Sequence, residues 1–514
     1  MSHLKPQLTV PLLALVFVLL AAGSASKKSL TWDEPTFITS GYTYLDRSDF
    51  RLNPEAPPLL QELAALPIWL GSFTPPDYDH PAWSDREQVA FAKDFVSRNR
   101  DRIADLAWWS RAPTWVLGGC LVIVGAAFCM QIAGPNATII CALLTAVSPN
   151  LLAHGRLATT DLGCAALMFG AVWCFKMAIE KDRLPYWIIA GAVAGLALLT
   201  KYTALLLIPT FLILGFYEWL TQRRPIMGLL IGFGILATSS VAMLFIGYDF
   251  GFGPALYLEG TDSIYSHYMP GFRFYLLGNV LEKPVWYYHL VALLLKTPEP
   301  TICLGAISVW ATMRSTKLRS SAIYLITPMC LVIAASFFDQ AHLGLRRILP
   351  IYPFMFALVA IAGSDKPCRF CKQIYFGLVV WACLASALAY PHYLSYSNVL
   401  SGGSANAPYL LEDSNVDWGQ DLPALADWQS RNPDQSIKLK YFGTAVPSHY
   451  GVRSERMPDS EVIDPLAGVY TISAHNLVYF RKIAHQTRRP DIDWLSRYKP
   501  FDRAGGSIYL YRFP

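Results

Sequence analysis

The chain has 514 residues, of which 54% are apolar and only 15% charged, with a formal net charge of +5. The charges avoid a series of runs long enough to cross a bilayer, which excludes an ordinary soluble domain and marks an integral membrane protein. Topology accounts for most of the basic residues, so composition gives no argument for a nucleic-acid partner.

Hydropathy predicts eleven spans of roughly 20 residues each, near 7–23, 113–131, 137–153, 162–179, 186–200, 203–220, 226–247, 298–313, 320–338, 348–363 and 373–390. The first can be a retained helix or a signal peptide, since Ala22-Gly23-Ser24-Ala25-Ser26 offers the small residues that a signal peptidase accepts. The retained helix is the reading adopted, with support from the resemblance given below. Between the first two spans lies a long loop, 27–111, with helical signals over 59–70 and 89–105. Its 83–102 stretch is amphipathic and suits either the membrane surface or a solvated helix face.

Alternate short loops carry the basic residues Lys5, Lys176/Lys181/Arg183, Arg223/Arg224, Arg314/Lys317/Arg319 and Lys366/Arg369/Lys372. The positive-inside bias assigns these to the cytoplasm, and Asp33 with the whole tail from His392 to the other side. A second external segment, 248–289, ends in Trp286-Tyr287-Tyr288-His289, and the short apolar run after it reads as an interfacial helix ending near Pro298. The tail shows candidate strands at 437–442, 468–473 and 507–512, enough for a small α+β domain on the outer face. The fold class is thus a polytopic α-helical membrane domain, 1–390, followed by an extracytoplasmic α+β domain, 391–514. All ten cysteines fall in predicted spans or cytoplasmic turns, so no internal disulfide staples the loop or the tail. The lone C-x-x-C at 368–371 lacks visible metal partners and reads as an ordinary turn.

Four external loops concentrate polar chemistry: Asp33-Glu34; His154-Gly155-Arg156 through Asp161; Lys201-Tyr202; and Asp339 through Arg347, which includes His342, Arg346 and Arg347. A carboxylate just outside the hydrocarbon core stays ionised while facing both water and a lipid headgroup. External Arg156, Lys201, Arg346 and Arg347 run against the topological bias, and a lipid phosphate would compensate their charge, best through the two-pronged guanidinium. Each cation can instead snorkel to ordinary headgroups or pair with a loop carboxylate. Asp33 competes with a role as helix cap ahead of Glu34-Pro35, and Asp161 can likewise cap its span. His154 and His342 suit metal binding, proton transfer or a plain interfacial position, and no recognised ligand spacing selects among these. Asp413 through Asp421 superficially resembles a calcium loop, but its glycine falls one place late and Ala424 stands where a Glu is required. Asp413 and Asp417 remain candidates for substrate contact, and a divalent cation is left open.

These motifs resemble the GT-C class of polyprenyl-phosphate-sugar-dependent glycosyltransferases, in the branch of protein O-mannosyltransferases and lipid A aminoarabinose transferases. The carriers are Asp33-Glu34, Asn53-Pro54-Glu55-Ala56-Pro57-Pro58-Leu59, His154 through Asp161, Leu199-Thr200-Lys201-Tyr202, His342 through Arg346, and Asp413 through Asp421. The resemblance implies that Asp33 is the catalytic base, with Glu34 and Asp161 beside it. It also implies donor-phosphate roles for Arg156, Lys201 and Arg346, to which the charge argument adds Arg347; His154, Tyr202, His342, Asp413 and Asp417 are candidates for substrate contact from their places in these clusters. Many relatives have His-Pro-Pro-Leu where this chain has Ala56-Pro57-Pro58-Leu59, so any contribution of that His is absent here or supplied elsewhere. The implied reaction is an inverting transfer from a polyprenyl-phosphate sugar to a protein, lipid or glycan acceptor outside the cytoplasm, in a bacterial inner membrane. A transporter or flippase is the alternative, but it would place its ionisable residues near the midplane rather than at one interface. A silent receptor is a third reading, in which Asp33 would be dispensable for binding.

Overall fold

A computed structural model of the chain describes residues 5–221, 224–251, 253–267, 273–364 and 369–514. Arg223, Lys366 and Cys368, used above for topology and cysteine chemistry, lie outside them.

Helix α1 (Pro6–Ala25) packs on α6 (Ile103–Ala133). Gly118 makes this possible, since an added Cβ there would fall 1.9 Å from the Phe17 ring; small residues let apolar helices approach closely. Between them the 27–111 loop is largely helical: α2 (Glu34–Arg47), α3 (Leu59–Trp69), α4 (Pro81–Ser84) and α5 (Gln88–Arg98). Ile38, Tyr42, Ala65, Ile68, Phe95 and Leu106 form its own apolar core. Helix α2 starts where the capping alternative for Asp33 places a short helix and runs on for 14 residues; its Thr, Ser and Tyr residues give mixed propensity, and packing against α3 fixes its length. The helix expected over 89–105 is divided at Asn99, where that side chain bonds Thr74 and Phe95 instead of continuing the turn.

The membrane region continues through α7 (Pro135–Ala146), α8 (Pro149–Gly155), α9 (Asp161–Lys181), α10 (Leu184–Leu198), α11 (Leu207–Leu220), α12 (Ile226–Gly247) and α13 (Gly253–His267). A hairpin of β1 (Phe274–Leu276) and β2 (Asn279–Leu281) precedes α14 (Tyr288–Lys296), α15 (Glu299–Arg314), α16 (Thr316–Ser336), α17 (Ile351–Ser364) and α18 (Arg369–Ala389). Among the described residues seven helices are long and apolar enough to cross a membrane, or up to nine if the pairs α7–α8 and α14–α15, bent by 57° and 116°, are each one span. The spans expected at 186–200 and 348–363 coincide with the shorter helices α10 and α17. Helix α17 is buried on every side from Ile351 to Ile361, as a helix apolar all round should be, so protein rather than lipid surrounds it. Leu212, Phe216, Leu230 and Ile231 are more than half exposed, an apolar outer surface suited to lipid.

The tail contains α19 (Leu422–Arg431), α20 (Ala474–Thr487), α21 (Trp494–Arg497) and five strands: β3 (Ile437–Lys440), β4 (Glu455–Arg456), β5 (Gly468–Ser473), β6 (Asp502–Ala504) and β7 (Ile508–Phe513). Their order is β4-β3-β5-β7-β6, with β3 parallel to β4 and β5, and β7 antiparallel to β5 and β6. Alternation decides what each face meets. Tyr470, Ile472, Tyr509 and Tyr511 pack toward α20, whereas Val469, Ile508 and Leu510 join Leu422, Leu425 and Trp428 of α19. The three expected strands are present. The two extra ones are two and three residues long and lie at the edges, where brevity limits pairing with other chains.

Candidate active site

Asp33 and Glu34 are adjacent in the chain and have different surroundings. Glu34 is fully buried and accepts bonds from Arg111 Nε and Nη2, both at 2.7 Å, and from the backbone N–H of Thr31 (2.7 Å) and Ala158 (2.9 Å). Burial opposes ionisation of Glu34, but Arg111 and these donors outweigh it and hold its carboxyl below the usual range. Arg111 also donates to the carbonyls of Ala25, Lys28 and Ser29, so all five of its N–H donors are used. Glu34, expected beside Asp33 in catalysis, is therefore the anchor of the loop.

The tail holds the other side of that loop. Ser29 N–H donates to Gln420 O at 3.0 Å and Trp32 N–H to Trp418 O at 2.9 Å. Lys28 forms a buried pair with Asp421, and the Thr444 hydroxyl donates to Trp32 O at 2.9 Å. The Trp32 ring stacks on Phe442 at 4.8 Å, which stacks on His475 at 3.7 Å. The stretch that superficially resembled a calcium loop is this clamp. Asp417 is turned into it, accepting from the N–H groups of Gly419 and His475 at 3.0 Å, and burial pushes its carboxyl up to about 7.

Asp33 occupies the N-cap position of α2 but makes no capping hydrogen bond, so the structural alternative for it fails. About a quarter of its side chain is exposed, and its Oδ2 lies 2.9 Å from Arg346 Nη1. Burial raises its carboxyl above the ordinary range while Arg346 pulls it down, and Asp413 and Asp161 add to the rise. The Arg346 guanidinium lies 4.2 Å over the Trp418 ring. The loop that carries it is seated by Leu345 N–H on Asn415 Oδ1 at 3.0 Å and by the Ser414 hydroxyl on Leu343 O at 2.6 Å. Gly344, at φ 89°, permits this approach, since a Cβ there would meet Ser414 Oγ at 2.6 Å. Across the cluster, Lys201 Nζ pairs with Asp161 Oδ1 at 2.6 Å, with Lys201 18% exposed. His154 Nδ1 stands 3.8 Å from Asp161 Oδ2, too far to bond, and neither atom has a hydrogen-bond partner among the described residues. Buried polar atoms left in this way mark a place that a ligand or water completes. Asp413 joins this group electrostatically and holds a left-handed φ of 54°, a strained conformation for a non-glycine residue.

Asp33, Asp161, His154, Lys201, Arg346 and Asp413 thus come together, and the remaining candidates do not. Arg347 is held in a two-pronged pair with Asp339, at 2.8 Å on each prong. His342 stacks face to face on Tyr288 at 4.0 Å and accepts from Val285 N–H, and burial lowers it to about 4. Tyr202 donates to Pro54 O at 2.8 Å. Arg156 is completely buried beside Arg111 and Asp421 rather than beside Lys201. These four positions were selected by residue type, and tertiary packing committed them elsewhere. Sequence reasoning missed Arg111, Lys28 and Trp418 as determinants of the site. The signal available for Trp418 was its place between Asp417 and Asp421. Among the described residues no three His, Cys, Asp or Glu side chains converge as a metal site.

Residues 104–247, which run from α6 to the end of α12, match the family model of dolichyl-phosphate-mannose-protein mannosyltransferases. No curated protein matches the chain by sequence. Among solved structures it is similar to ArnT from Cupriavidus metallidurans bound to undecaprenyl phosphate, with a TM-score of 0.52, 12% identity and coverage of 97% of each chain. The apo state of that protein gives a TM-score of 0.51 at 13% identity, again over 97% of each chain. The chain shares its overall fold with that protein. The resemblance to the GT-C class read from the residues is met by both the family model and the fold. The segment matched by the family model contains His154, Asp161 and Lys201, whereas Asp33 and Arg346 lie outside it and join the cluster only through the fold.

Proposed function

We propose that the protein is a membrane glycosyltransferase that moves a sugar from a polyprenyl-phosphate donor to an extracytoplasmic protein, lipid or glycan acceptor, with inversion at the anomeric carbon. The observation that carries this reading is the pairing of Asp33, about a quarter exposed and raised above the usual carboxylate range, with Arg346 at 2.9 Å. The similarity in fold to a protein crystallised with undecaprenyl phosphate supports the choice of donor.

In this reading Asp33 takes the proton of the acceptor hydroxyl or amine as that atom bonds to the anomeric carbon. The bond from that carbon to the phosphate oxygen breaks from the opposite face, and its electron pair leaves with the polyprenyl phosphate. General-base help of this kind is worth roughly 10²–10⁴-fold. Positioning and neutralisation of the departing phosphate by Arg346 and Lys201 supply much of the remainder. Both cations are spoken for by carboxylates before the donor arrives. As Arg346 turns to the phosphate, Asp33 loses the charge that suppresses its basicity, so donor binding activates the base.

Release of polyprenyl phosphate from a panel of polyprenyl-phosphate sugars, in nanodiscs with candidate acceptors, tests this. Turnover by the wild type that disappears in Asp33→Asn while donor binding persists is the expected result. Undiminished turnover in Asp33→Asn would remove the base assignment, and failure to bind any donor would remove the transferase reading.

A further inference from the structure

A cavity of about 530 Å³ lies where the ends of two membrane helices meet the tail domain. Lys27 follows α1, His392 follows α18, Arg431 ends α19 and Arg503 lies in β6; Asp427 is the one acid among the lining residues. The first turn of α19, at Pro423 and Ala424, forms part of the wall, which brings the positive end of that helix dipole to the cavity.

The layer behind this lining is also positive. Lys28 Nζ lies 2.6 Å from His392 Nδ1 and also pairs with Asp421. The ammonium donates, so His392 accepts through Nδ1, and its Nε2–H remains as a donor. Deeper in, Arg156 is 0% exposed and none of its three guanidinium nitrogens has a hydrogen-bond partner among the described residues. Its field reaches both Lys28 and His392. Arg503 Nη1 is likewise buried without a partner. Five cations, Lys27, Lys28, Arg156, Arg431 and Arg503, thus face Asp421 and Asp427, with Glu34, already paired with Arg111, as a third carboxylate within reach of Arg156. An uncompensated buried charge is costly, and an anion is the species that offsets it.

We propose that this cavity binds the phosphate monoester of a membrane-lipid headgroup, at a site separate from Asp33. Two arginine forks and an imidazole N–H match the oxygens of a phosphate, which guanidinium groups bind with charge-assisted hydrogen bonds. A lipid is the source because Lys27 and His392 directly follow the ends of helices long enough to span, and Lys27 Nζ lies 5.2 Å from the centre of the Tyr390 ring. Aromatic and basic residues at such ends sit at headgroup depth.

The test uses the full chain in nanodiscs of phosphatidylcholine with and without phosphatidic acid, with retained lipids counted by native mass spectrometry. The wild type is compared with Lys27→Ala/Arg431→Ala, with Arg503→Gln, and with the control Arg456→Ala/Lys499→Ala, which removes two exposed cations elsewhere on the tail. Melting temperatures confirm that each variant folds. Retention of phosphatidic acid over phosphatidylcholine, about tenfold weaker in each cavity variant and unchanged in the control, is the expected result. Equal retention by wild type and cavity variants overturns the site. Binding of inorganic phosphate without retention of phosphatidic acid overturns the lipid source, and binding of neither overturns the whole proposal.

Discussion

The two ion pairs at the start of α2 differ in what surrounds them. Glu34 and Arg111 are 0% and 1% exposed with every guanidinium donor used, whereas Asp33 and Arg346 are 26% and 14% exposed and the guanidinium rests on an aromatic face. The sealed pair has lost its capacity to exchange partners and fixes the loop. The open pair keeps that capacity, which is what a site needs if a phosphate is to displace a carboxylate. Sequence neighbours of the same charge are thus divided into scaffold and chemistry by the number of donors that reach each.

This contrast can be broken at four points. Asp33→Asn removes the base while keeping shape and hydrogen bonding, and glycosyl transfer measured in nanodiscs should fall about 10²–10⁴-fold with melting temperature unchanged. Glu34→Ala leaves Arg111 buried and unpaired, and should destabilise the protein by about 3–5 kcal/mol in denaturant unfolding, with any loss of activity following loss of folded protein. A smaller effect distinguishes the two arginines by pH. In the proposed mechanism the ionised form of Asp33 is the active one, so activity falls as pH drops through its pKa. Arg346 lowers that pKa, so Arg346→Met should move the acid limb of kcat/KM to higher pH and raise KM for the donor. The least effect on activity is expected from Arg347→Met, whose two-pronged pair with Asp339 lies away from the cluster; the acid limb should stay in place, while the melting temperature should fall because Asp339, 12% exposed, loses that partner.

Much of the architecture was legible because hydropathy reports helices and period-two alternation reports strands such as Ile437–Lys440. Asp33 was legible from its place beside a span and before Glu-Pro. The distinction between Asp33 and Glu34 was not, since it depends on Arg111, 77 positions along the chain. Arg346 and Arg347 are equally charged neighbours, and only the fold turns one to Asp33 and the other to Asp339. Local pattern names the types of residue a site needs, and the long-range partners decide which of them serve it.

The pairing of Lys28 with Asp421 joins residues 393 positions apart. At 5–20 residues per second, a ribosome takes roughly 20–80 s to make the chain between them. Through that interval Trp32 and Asp33 have left the exit tunnel without the segment that orders them. In the proposed mechanism the base is ordered only once the tail domain has been made and has joined it, so a chain that stops short of Trp418 and Asp421 carries every residue of the first loop without the segment that holds it.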